Sequence, residues 1–149
     1  MTDQTRDGTP IVACLVALAA ALIVVGVVTG ILLRHLVQMV PFAAAGVLLR
    51  RSAPAGAWAA MPLFTFWFLV AGLIWLYLLG LSDLARGTYS GLEVLCTVVM
   101  AAACVIGIWQ SFRVGRPTRL AGRIVLTLGF GFFQIVAMVV SASEMFANR

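Results

Sequence analysis

Apolar residues fill this chain in long unbroken runs, and charge is confined to the short intervals between them. Residues 8–33 carry no formal charge for 26 positions, 52–82 for 31, 94–112 for 19 and 124–143 for 20. A bilayer core of about 30 Å takes about 20 residues of helix, so four of these runs are long enough to cross it. A fifth, 36–49, has only 14 residues. Extended from His35 to Arg51 it has 17, or about 25 Å at 1.5 Å per residue. Snorkelling of Arg50 and Arg51 can cover the shortfall.

The pattern inside the fifth run decides how it is read. A helix lying on the membrane surface needs one polar and one apolar face. Arg34, His35 and Gln38 begin a polar face, but Phe42, Ala44, Ala45, Gly46 and Leu49 follow with nothing polar among them. The segment therefore reads as a span. The chain is predicted to be an all-α, single-domain polytopic integral membrane helical bundle with five transmembrane helices at about 10–29, 35–51, 57–80, 91–112 and 124–145. The alternative has four spans plus a short re-entrant or interfacial segment.

Local signals fix several ends. Thr9 followed by Pro10 reads as an N-cap with proline at the first helical position, and Gly30 as the stop of the same helix. Trp58 near one end of the third span, and Trp75 and Tyr77 near the other, suit its two interfaces. Ser90 and Glu93 have capping-box spacing. Arg34 and His35 then read as the turn between the first two spans.

Composition removes most other classes. The chain has 149 residues, 63% of them hydrophobic and 10% charged, with a mean hydropathy of +1.11; a soluble domain of this size would expose far more charge. The net charge of +5 is no nucleic-acid signal, because the basic residues flank apolar segments in place of solvated ones. All ten are Arg, which with the abundance of Ala, Gly, Val and Leu points to a GC-rich bacterial coding bias. The N-terminus reads as uncleaved, since the apolar run behind it is too long for a signal peptide and no small-residue cleavage site stands out. Cys14, Cys96 and Cys104 lie within spans without CxxC spacing and read as small apolar fillers, with neither disulfide nor metal.

The Arg bias sets an orientation. The 113–123 loop holds four Arg and no acid, against one Arg and Asp83 in the 81–90 loop, so the former is expected in the cytoplasm of a bacterial inner membrane. With five spans the N-terminus is inside and the C-terminus outside. Arg34, His35, Asp83, Arg86, Tyr89, Glu93, Glu144 and Arg149 then share an outer polar layer.

Each member of that layer has an ordinary reading beside a functional one. Arg34 and His35 suit an interfacial turn, or an anion, headgroup or proton-relay site. Glu93 suits its cap, or a proton acceptor at an outer mouth. Glu144 sits at a helix C-terminus where a carboxylate meets an unfavourable dipole, which a partner such as Arg34 or Arg149 would relieve. Gln38 and Gln134 fall inside spans, where an amide hydrogen-bonds across helices or lines a polar path. Gly26 and Gly30 form a GxxxG that permits close helix approach, to a homo-oligomer or a partner membrane subunit. The aromatic group Phe64, Phe66, Trp67, Phe68, Trp75 and Tyr77 reads first as packing and lipid contact. One histidine cannot supply paired axial haem ligation within a chain, and no residue pattern calls for a cofactor.

No catalytic triad, His-rich metal spacing or phosphate-cradling loop is present in the sequence. The expected role is a non-enzymatic one: an accessory or assembly component of a membrane complex, or a small homo-oligomer. The competing reading is a small transporter or channel that uses the outer polar layer.

Overall fold

A computed structural model describes residues 7–116 and 118–143. The described chain is all helix: α1 (Thr9–Val28), α2 (Leu32–Gln38), α3 (Val40–Arg51), α4 (Ala53–Leu78), α5 (Gly91–Gly115) and α6 (Leu120–Ser141). With α2 and α3 taken as one interrupted segment, five helices are long and apolar enough to cross a membrane. The short 36–49 run thus belongs to a full-length helical segment, Leu32–Arg51.

That segment is broken, a feature its apolar pattern does not announce. Pro41 has no N–H to continue the ladder. The Phe42 N–H turns to the Met39 carbonyl, 3.0 Å away, in place of the Gln38 carbonyl that a continuous helix would offer. Met39 is left as a one-residue joint between α2 and α3.

Other boundaries also shift. Thr9 is the first helical residue and Gly8 the N-cap. The side-chain acceptor comes from Asp7, whose Oδ1 takes the Thr9 N–H at 2.9 Å. Residues 52–56, expected as a loop, reduce to the single extended residue Ser52 (φ −154°, ψ 99°), and Pro54 is accommodated in the first turn of α4. α5 runs on to Gly115 and α6 begins at Leu120. The Ser90–Glu93 capping box is present in both directions. At the end of α1, Gly30 takes φ +73°, a left-handed turn open to glycine without strain.

The spans pack in a closed ring. α1 lies against α5, α5 against α4, α4 against α6, α6 against α2, and α2 back against α1. α3 leaves this circuit and lies chiefly against α4, where Phe42, Ala45 and Leu49 join a core that includes Ile11, Leu18, Leu22, Leu63, Phe64 and Cys104. The break at Met39 therefore sends the two halves of one span to different neighbours. α4 and α5 pack closely at Gly107, where a Cβ would stand 2.6 Å from the Phe64 ring.

Alternation of the spans sorts the described charges onto two ends. One end holds Asp7, Arg50, Arg51, Arg113, Arg116, Arg119 and Arg123; the other holds Arg34, His35, Asp83, Arg86 and Glu93. At the first end Arg123 ties down the α5–α6 connection. Its Nε donates to the Thr118 carbonyl at 2.7 Å and a terminal nitrogen donates to the Arg116 carbonyl. Its guanidinium lies 5.2 Å from the ring centre of Trp58, and the Trp58 Nε1–H donates to the Gly115 carbonyl at 2.7 Å.

Candidate functional site

Opposite that basic end, the helical ring encloses a cavity of about 260 Å³. Every span contributes. α1 gives Leu22 and Val25, α2 gives Arg34, His35 and Gln38, and α4 gives Trp67, Val70 and Ile74. α5 gives Glu93, Thr97 and Met100, and α6 gives Met138; Ile31 and Tyr89 border it from the connections. Its lining mixes polar side chains, Arg34, His35, Gln38, Tyr89, Glu93 and Thr97, with apolar ones.

The cavity follows from helix spacing. His35 and Gln38 are three residues apart on α2, and Glu93, Thr97 and Met100 are four and three apart on α5, so each set shares one helix face. α2 can come close to α1 because position 26 is glycine: a Cβ there would stand 2.9 Å from Leu32 Cα and 3.2 Å from His35 Nδ1. The close approach that the GxxxG permits is made to this chain's own α2, while Gly30 forms the turn. Phe42 meets Trp67 edge-on with centroids 6.5 Å apart, bringing the first turn of α3 onto the tryptophan that lines the cavity.

Most polar groups have partners. Glu93 Oε2 accepts from the Ser90 N–H at 2.7 Å and from the Ser90 hydroxyl at 2.6 Å. Tyr89 donates its phenol to the Ala85 carbonyl at 2.8 Å, with its ring 6.0 Å from that of Tyr77. Burial, followed by Tyr77 and the Glu93 carboxylate, holds that phenol above its ordinary pKa of 10.0. Thr97 donates to the Val94 carbonyl at 2.7 Å, and His35 Nδ1 lies 3.2 Å from the Ile31 carbonyl.

Two buried groups do not. Trp67 is 3% exposed and Gln38 is 7% exposed, yet no protein atom partners the Trp67 Nε1–H or Gln38 Oε1. The other end of the Gln38 amide is committed: Nε2 donates to Ser141 Oγ at 2.8 Å and lies 3.2 Å from Met138 Sδ.

The expected outer layer thus divides. Arg34, His35, Tyr89 and Glu93 converge on the cavity, and Gln38 joins them. Asp83 and Arg86 pair with each other at 3.0 Å on the surface, 75% and 73% exposed, away from the cavity. Gln134 is fully buried beside the site, and its Nε2 reaches the Gln38 backbone carbonyl at 3.5 Å. Glu144 and Arg149 lie outside the described residues. Cys14, Cys96 and Cys104 are free, buried thiols. Sequence reasoning missed Thr97, Met100 and Met138, and it placed Trp67 among packing aromatics. The spacing of Thr97 four residues after Glu93 was the available signal. Comparisons with protein-family models, curated proteins and solved structures find no match.

Proposed function

We propose that this chain binds a small amphipathic molecule in the ring cavity and passes it between the membrane and the adjoining aqueous face. One observation carries this reading: an interrupted membrane-spanning helix forms a wall of a cavity lined by both polar and apolar side chains. An interrupted hydrogen-bond ladder within a bilayer is tolerated where protein or a cavity satisfies the freed groups, and interrupted helices recur at the binding sites of small-solute transporters. The broken span, its cross-linking glutamines and the cavity coincide here.

The proposal includes an orientation. Among the described residues the basic end has six Arg and one acid, Asp7, which supports a cytoplasmic position for that end in a bacterial inner membrane. The cavity then faces outward, the N-terminus lies inside and the C-terminus outside.

The test is retention. Wild-type protein moved directly from membranes into lipid nanodiscs should release a bound small molecule in native mass spectrometry. Val70→Trp, which fills the cavity, should not. Val105→Trp, on a lipid-facing position 53% exposed, should behave as wild type. A wild-type protein that holds nothing more than Val70→Trp overturns the reading.

A second reading, an accessory or assembly subunit, is supported by α6. Its buried residues are only Gln134, Ala137 and Ser141, and Val125, Leu128, Phe132 and Val139 are exposed apolar side chains. Purification under native conditions with a stoichiometric membrane partner, together with an empty cavity, would favour it.

A further inference from the structure

We propose that the cavity selects an uncharged amphiphile by its hydroxyl groups, an inference that rests on the ligand-binding reading above. The chemistry follows from the hydrogen-bonding capacity left over once the protein's own bonds are assigned.

The Gln38 amide has one workable orientation. Ser141 Oγ donates its hydrogen to the Met138 carbonyl at 2.7 Å, so toward Gln38 it can only accept. The Gln38 NH₂ therefore faces Ser141, and Oε1 is the acceptor without a partner. A parallel argument fixes His35. Its Nδ1 faces the Ile31 carbonyl, which can only accept, so in the neutral ring Nδ1 carries the hydrogen and Nε2 is an acceptor. Trp67 Nε1 is a donor only, buried and unpartnered.

Two buried groups on the lining residues, the Trp67 donor and the Gln38 acceptor, thus lack internal bonds, and the neutral His35 ring adds Nε2 as an acceptor. A complementary headgroup supplies hydroxyl hydrogens to Gln38 Oε1 and His35 Nε2, and an oxygen to the Trp67 N–H. Its hydrocarbon part lies along Leu22, Val25, Val70, Ile74 and Met100. Arg34 and Glu93 bring opposite charges to the same lining, so nothing in the balance selects an ionic head. A volume of about 260 Å³ is below the roughly 300 Å³ at which pockets for whole drug-sized molecules begin, and suits a head whose tail extends into the bilayer. Two lipid sources present this chemistry: the ring of a membrane diphenol, and the glycerol of a neutral glyceride.

Equilibrium binding to protein in nanodiscs separates the possibilities. The probes are a decyl-substituted para-benzoquinol and its quinone, and monodecanoylglycerol and its dimethyl ether. Within each pair the partner keeps its oxygens and loses its hydroxyl donors. Wild type should bind the hydroxylated member of at least one pair about tenfold more tightly than its partner, as expected when a buried acceptor is left unmet. The pair that shows this preference identifies the source. Trp67→Phe should weaken both members of that pair equally, by about tenfold, because both keep the oxygen that Trp67 addresses. If Trp67→Phe does not fold, the within-pair comparison on wild type still decides. Equal binding within both pairs, abolished by Val70→Trp, overturns the hydroxyl selection and leaves the cavity reading intact. Binding that is unaffected by Val70→Trp removes both.

Discussion

The side chain of Gln134 on α6 approaches the backbone carbonyl of Gln38 on α2, 3.5 Å from its Nε2, where the interrupted span has left that carbonyl without its helical donor. A glutamine in the middle of an apolar span is thereby explained by a proline on another helix. Replacement by Leu removes the contact and also a buried amide oxygen that has no partner. Gln134→Leu should therefore cost no more than ~1 kcal/mol, measured by thermal unfolding in detergent. A loss several times larger would mean that Gln134 holds something other than α2.

Two buried tryptophans should respond differently to loss of the indole N–H. Trp58 donates to the Gly115 carbonyl, lies under Arg123 and packs edge-on against Phe112 at 5.7 Å. Trp67 makes no such bond. Trp58→Phe should cost ~1–2 kcal/mol from the lost hydrogen bond and weakened cation–π contact. Trp67→Phe should cost less than ~1 kcal/mol, because only packing changes. Melting temperatures of the two variants in one lipid environment provide the comparison, and a larger loss at Trp67 would contradict the assigned geometry.

The Tyr89 phenol gives a pH dependence with a definite sign. Its folded pKa lies above the ordinary 10.0, so the folded state favours the protonated form. The associated stability is fully present below about pH 10 and is lost as pH rises through the higher folded value. Tyr89→Phe should remove this alkaline component. Subtracting its ultraviolet absorbance titration from that of wild type should show a phenol ionising above the ordinary value; ionisation below it contradicts the placement.

Close packing of α4 and α5 should make position 107 intolerant. A Cβ there would stand 2.6 Å from the ring of Phe64, which is fully buried. Gly107→Ala should destabilise by ~1–3 kcal/mol through overpacking. Pairing it with Phe64→Leu should recover part of the loss, seen as non-additivity in a double-mutant cycle.

Orientation can be read by labelling introduced thiols in intact cells, since the native cysteines are buried. Ser82→Cys should react with a membrane-impermeant maleimide, and Arg119→Cys, at an exposed position of the α5–α6 connection, should be protected. The reverse pattern would invert the proposed topology.

The spans were legible because each needs only length and low polarity. The capping box was legible because it is a four-residue device, complete in Ser90 and Glu93. The break was harder to see, since apolar residues on both sides of Pro41 give the same reading whether the helix is whole or interrupted. Arg34, His35 and Glu93 could be assigned to one layer by counting spans, but counting could not separate them from Asp83 and Arg86. That division depends on which way each helix face turns within the ring. Trp67 was hidden for the opposite reason: among so many aromatics nothing marks the one whose N–H has no partner. Gly26 shows the limit of a short motif, because the helix it accommodates is the next one in the chain.

The interruption at Met39 has a counterpart at Gly30, and together they leave α2 as seven residues with a joint at each end. The remaining cavity walls belong to helices of 20 residues or more, and α3 is linked to α4 through Ser52 alone. α2 is consequently the one cavity wall whose hydrogen-bond ladder is separate from the long helices, and it is held in place through Gln38 to Ser141 and through Leu32 against Gly26. It brings Arg34, His35 and Gln38 to the lining together, so three of the cavity's polar side chains sit on a single short piece.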